Sequence, residues 1–136
     1  MATIRLISDA EANDEVAAVY ADIRKTRGTD FINDFWRALA NDPVRLKSVW
    51  EEVKTVMAPG ALDPLTKELV YIAVSAANAC PYCVHSHTAS ARAKGMTDAQ
   101  HSELIGVIAL AGKTNHLANT MQLEPDAAFR VENQKD

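Results

Sequence analysis

The chain has 136 residues, 48% hydrophobic and 24% charged, with a net charge of −4 at pH 7. That length suits one domain with a core that needs no disulfide staples, and the acidic balance gives no electrostatic reason to expect nucleic acid or an anionic membrane as partner. MATIRLISDAEAND has no apolar h-region and the longest apolar run, LVYIAVSAANA, is too short and polar to span a bilayer, so the expected location is cytoplasmic.

The elements follow in chain order. Met1–Ile7 reads as an extended arm. Ser8 and Glu11 fit a capping box that opens a helix through Val16, Val19, Tyr20 and Ile23, with Gly28 as its end. FINDFWRALA predicts a short aromatic-rich helix whose Phe31, Phe35 and Trp36, like the later Trp50, are assigned to the core. Asp42-Pro43 is a cap followed by a first-turn proline, predicting a helix from Val44 to about Met57 with Leu46, Val49, Trp50, Val53 and Met57 at helical spacing. Asp63-Pro64 repeats the signal for a helix carrying Leu65, Leu69, Ile72 and Ala76, and Pro81 starts another that runs to about Lys94-Gly95. Thr97 and Gln100 form a second capping box, for a long helix through Leu104, Val107, Ile108, Ala111 and Leu117. A last turn follows Pro125, and a charged tail runs from Arg130 to Asp136. No period-two alternation or hairpin signal appears. The expectation is one all-α domain, residues 1–136, of about six or seven helices.

Asp63 to Lys94 holds both cysteines, two of the four histidines and a carboxylate in an apolar run. Cys80, Cys83 and His87 follow C-x-x-C-x-x-x-H, and spacings of three and four put them on one helical stripe. Pro81 makes Cys80 the predicted N-cap and puts Cys83 in the first turn, where free N–H groups and the helix dipole favour a thiolate. His87, one turn further on, is the candidate base. Spacing alone leaves Glu68 between two places: a solvated face shared with Lys67, or a position behind the dithiol helix where it would orient His87. Tyr71, Ser75, Tyr82 and Ser86 are candidate wall residues for which core or surface positions are the expectation.

Other readings use the same residues. Haem attachment needs C-x-x-C-H, and Val84 follows Cys83. Zinc would need Cys80, Cys83 and two of His85, His87, His101 and His116 to converge, whereas His85 lies roughly 140° from Cys80 on a continuous helix. His85 is therefore expected in solvent or at a subunit contact, and neither metal nor cofactor is expected. Two thiols serving only as small buried hydrophobes remain the structural alternative.

With Glu68, Cys80, Cys83 and His87 in place, the chain resembles the carboxymuconolactone decarboxylase superfamily, and within it the alkyl hydroperoxidase D (AhpD)-like branch, whose core reads E-x(11)-C-x-x-C-x-x-x-H. The resemblance is strong from about residue 63 to 95 and looser before it. It implies an all-helical fold, a homo-oligomer (trimer or hexamer) and thiol-dependent peroxidase chemistry on a hydroperoxide, reset by a dithiol reductant. It further implies that Glu68 and His87 relay protons to activate Cys83 and that Cys80 closes the disulfide. Tyr82 stands where the best-known hydroperoxidases have histidine. The superfamily's decarboxylases lack the dithiol, so lactone decarboxylation is not expected. A dithiol adaptor or redox sensor without peroxide turnover is the alternative.

Overall fold

Each long helix of this chain begins where a side chain can take up the amide hydrogens that a helix leaves unpaired at its start. The computed structural model describes residues 1–130, and among these it is all-α, with no strand. The helices are α1 (Asp14–Arg27), α2 (Asp34–Leu39), α3 (Pro43–Met57), α4 (Pro64–Ala77), α5 (Pro81–Ala93) and α6 (Asp98–Thr120), with single 3₁₀ turns at Asp9–Glu11 and Ala127–Phe129. Residues 131–136 of the expected charged tail lie outside the described residues. No helix among those described is long and apolar enough to cross a membrane.

The starts at Pro43, Pro64 and Pro81 follow their caps Asp42, Asp63 and Cys80 as predicted, and Thr97 and Gln100 form their capping box ahead of α6. The first box does something else. Glu11 takes the Ser8 amide and hydroxyl, but the pair closes only the 3₁₀ turn, and α1 starts later, with Asn13 accepting the Val16 amide.

The chain groups into two compact units, Met1–Ala58 and a second beginning at Pro59. In the first, Val16, Val19, Tyr20 and Ile23 of α1 pack in one buried cluster with Ile32, Trp36, Ala40, Leu46 and Trp50. Trp36 and Trp50 meet edge to face at 5.4 Å between centroids, and the Trp50 indole N–H donates to Asp22 at 2.7 Å. Phe31 and Phe35, expected in the core, are instead exposed, because α2 turns Trp36 and Leu39 inward and Ile32 is buried ahead of it.

The second unit has a smaller apolar core. Ile72 of α4, Ala91 of α5 and Met96 are buried, with Leu65, Leu69, Leu104 and Ile108 packed against them. Of the positions expected to face inward on α6, Leu104 and Ile108 do, whereas Val107 and Leu117 are exposed. At about 100° per residue Leu104 and Ile108 lie within roughly 40° of each other, whereas Val107 lies roughly 100° and Leu117 roughly 180° from Ile108. Gly95 closes α5 at φ 95°, and the Met96 amide donates back to Ala91 O at 3.0 Å. That left-handed turn suits glycine.

A β-carbon at Gly95 would meet nothing within 4 Å, so the cost of Gly95→Ala is conformational. The variant is expected to lose about 1 kcal/mol of stability, seen as a lower urea midpoint at unchanged slope.

Candidate active site

Two helices and the tight turn between them supply every residue of the predicted site. Asp63 fixes the start of α4 by accepting the Thr66 amide at 3.0 Å and its hydroxyl at 2.6 Å. At the other end the chain reverses through Ala79 in the left-handed region, φ 52°, and the Cys80 amide donates to Ser75 O at 3.0 Å. Such a conformation costs a residue with a β-carbon roughly 1 kcal/mol. The reversal lets α5 begin at Pro81 directly after Cys80.

Cys80 is the N-cap of α5, as expected, and its sulfur accepts the Cys83 amide at 3.3 Å. The two sulfurs are paired as a disulfide, with Cα atoms 5.4 Å apart. The sulfurs sit at the amide end of the helix, where the dipole favours negative charge on a reduced thiol.

Glu68 resolves the question that spacing left open. It projects from α4 into the contact with α5 and is 4% exposed. His87 Nδ1 lies 2.7 Å from its Oε2; the Ser90 hydroxyl donates to Oε1 at 2.7 Å and Lys94 Nζ does so at 2.9 Å. Burial by itself pushes the carboxyl up. The hydrogen bonds from His87, Lys94 and Ser90, with the charge of Lys94, outweigh it and hold the group down at about 2. Glu68 is thus an anion at neutral pH, and an ionised carboxylate only accepts. Nδ1 of His87 therefore carries a hydrogen, and in the neutral ring Nε2 holds the lone pair.

The imidazole is held on its face as well. The Tyr71 ring stacks on it at 3.6 Å between centroids and 19° between planes. Sequence reasoning gave Tyr71 no such part and passed over Ser90 and Lys94. A signal for the latter two existed: they follow His87 by three and seven residues, so the stripe of Cys83 and His87 continues through them.

A groove of about 270 Å³ runs beside Cys80, lined by Ser75, Ala76, Ala79, Cys80, Pro81, Val84 and His85. His85 is exposed, and His87 is not among the lining residues. Of the remaining histidines, His101 lies beside Arg92 at 3.4 Å and His116 is exposed on α6. Among the described residues, no three His, Cys, Asp or Glu side chains are grouped to hold a metal ion. The Ser75 hydroxyl is spent on Tyr71 O and that of Ser86 on Cys83 O, both bonds within their own helices, and Tyr82 is exposed.

Comparison with known proteins places these residues in context. The profile of the carboxymuconolactone decarboxylase family matches residues 46–123. The fold superposes on the crystal structure of the alkylhydroperoxidase AhpD core from Rhodospirillum rubrum with a TM-score of 0.93 and 61% identity, covering 95% of this chain and 97% of that one. Among curated proteins, an alkyl hydroperoxide reductase of Mycobacterium tuberculosis is 31% identical over 82% of this chain and 32% of its own length. An (R)-2-haloacid dehalogenase of Pseudomonas putida is 30% identical over 77% of this chain and 35% of its own length. The chain spans half or less of the length of the curated relatives it matches.

The carboxyl of Glu68 lies lower in the folded chain than its ordinary 4.5, so its ionised form contributes stability that is complete above that value and is lost as pH falls toward about 2. Glu68→Gln is expected to be less stable than the parent at pH 7 by on the order of 2 kcal/mol. In urea titrations at successive pH values the gap should narrow between 4.5 and 2. A gap that stays constant over that window would contradict the assignment.

Proposed function

The chain belongs to the carboxymuconolactone decarboxylase family, and from that premise and the geometry of the dithiol we propose that it is a thiol-dependent peroxidase of the alkyl hydroperoxidase type. The observation that carries the reading is the pairing of Cys80 with Cys83 at the start of α5, one turn before an imidazole backed by the buried Glu68. Similarity to the AhpD core and to the M. tuberculosis reductase supports it.

In the reduced protein, Nε2 of His87 takes the Cys83 proton and the helix start stabilises the thiolate. The thiolate attacks the distal oxygen of a hydroperoxide. The O–O bond breaks, Cys83 becomes a sulfenic acid, and the departing alkoxide takes a proton from the imidazolium and leaves as the alcohol. Cys80 then attacks the sulfenic sulfur, the S–S bond forms, and water leaves. A dithiol reductant, small molecule or protein, returns the pair to two thiols by exchange and is itself oxidised. We assign the protein to the cytoplasm, where thiols are kept reduced.

A second reading, a dithiol adaptor or sensor exchanging with a partner, draws on the groove beside Cys80. That groove gives an incoming thiol a way to the Cys80 sulfur and needs no peroxide. We further propose that the protein works as a homo-oligomer. Val107, Leu110, Thr114 and Leu117 of α6, with its C-cap Met121, recur at alternating spacings of three and four and are all exposed, the pattern of a helix seam that packs against a copy of itself.

Cys83→Ser is expected to abolish peroxide turnover, and Cys80→Ser to let a single equivalent of peroxide convert Cys83 to a sulfenic acid that a dimedone probe traps. Unchanged turnover in the Cys83 variant would sink the peroxidase reading. Negligible turnover by the parent, alongside fast exchange with a reduced partner, would favour the adaptor. Sedimentation at micromolar concentration should find an oligomer, and Leu110→Glu with Leu117→Glu should shift it toward monomer.

A further inference from the structure

Glu68 divides its two oxygens. Oε2 pairs with His87, whereas Oε1 takes both the Ser90 hydroxyl and the Lys94 ammonium. Lys94 also donates to Ser90 Oγ at 2.7 Å, so serine, lysine and carboxylate close a triangle on the side of Glu68 away from the imidazole. This triangle bears on how the proton moves. In a relay the carboxylate would receive a proton that His87 had taken from the thiol. With the proton on Glu68, the partly exposed ammonium loses the buried anion it is paired with, and the Ser90 bond loses its charge assistance.

Building on the dithiol-activation reading, we propose that Lys94, with Ser90, is a positioning residue that holds Glu68 as a fixed anion, so the thiol proton stops on His87 and never reaches the carboxylate. Glu68 then serves by its charge and orientation. It fixes the Nδ1 hydrogen, presents Nε2 as the base, and stabilises the imidazolium once it forms.

The groups that face this cluster favour the same account. From α4, Tyr71 stacks on the imidazole. From α5 they are His87 and Ser90, with Lys94 at its C-cap and Cys83 one turn before His87. From α6 the apolar side chains packed on this unit's core are Leu104 and Ile108. The depressed carboxyl of Glu68 agrees with the geometry.

The test is the ¹³Cδ resonance of Glu68, assigned by its loss in Glu68→Gln and followed from pH 4 to 8 in the reduced and disulfide forms. In the parent protein the resonance is expected to stay at its carboxylate position throughout, in both redox states. Lys94→Met should introduce a titration of Glu68 within that window and lower the ratio of iodoacetamide alkylation at pH 5 to that at pH 7. Lys94→Arg, which keeps the cation, should behave as the parent. The proposal is overturned if Glu68 titrates between pH 4 and 8 in the parent, or becomes protonated at neutral pH on reduction of the disulfide. It is equally overturned if Lys94→Met leaves the resonance flat or Lys94→Arg titrates as Lys94→Met does. Should Lys94→Met not fold by circular dichroism, the parent spectra in the two redox states decide alone. No readout involves peroxide, so the outcome is separate from that of the turnover experiment on Cys83→Ser.

Discussion

A carboxylate taken out of water must be surrounded by donors, and the second unit of this protein is arranged to meet that demand at Glu68. Desolvation of an unpaired carboxylate would cost several kcal/mol. Here an imidazole N–H, a hydroxyl and an ammonium answer it from one face of α5. The apolar core beside it is small, with Ile72, Ala91 and Met96 as its buried members. Hydrophobic packing is non-directional and would tolerate α5 rotated or slid by a fraction of a turn, whereas three donors converging on two oxygens would not. The carboxylate therefore sets the register of α5 against α4, and with it the place of His87.

The two sulfurs are inequivalent for reasons of backbone position. Cys80 precedes the helix, accepts an amide hydrogen and borders the groove. Cys83 lies inside the first turn, one turn before His87. A dithiol that is to be attacked by one reactant and reset by another gains from such a division, because each sulfur meets a different approach and a different electrostatic setting.

How far these features were legible in the sequence follows from how local their causes are. The starts of α3, α4, α5 and α6 are decided within four residues, by a cap and a proline or by a capping box, and all were readable. The all-helical class was readable for the same reason. The Ser8–Glu11 box misled because its bonds are equally satisfied by a single 3₁₀ turn, and nothing local showed that Asn13 would cap α1 instead. The burial of Glu68 was undecided because its partners lie 19 to 26 residues away on another helix. The stacking of Tyr71 on His87 was hidden likewise. On α6, apolar character was plain at Val107 and Leu117, but an apolar residue at helical spacing does not announce which of two faces meets its own chain's core.

The same separations have a kinetic side. Glu68 reaches His87, Ser90 and Lys94 across 19, 22 and 26 residues, most of them in two helices joined by three residues. The entropy of closing a loop grows only as the logarithm of its length, and contacts this near in sequence are among the fastest to form. A local opening of the α4–α5 hairpin needs no long-range search to be undone. The Glu68–His87 pair and the dithiol return together, because one short reversal at Ala79 brings both into place.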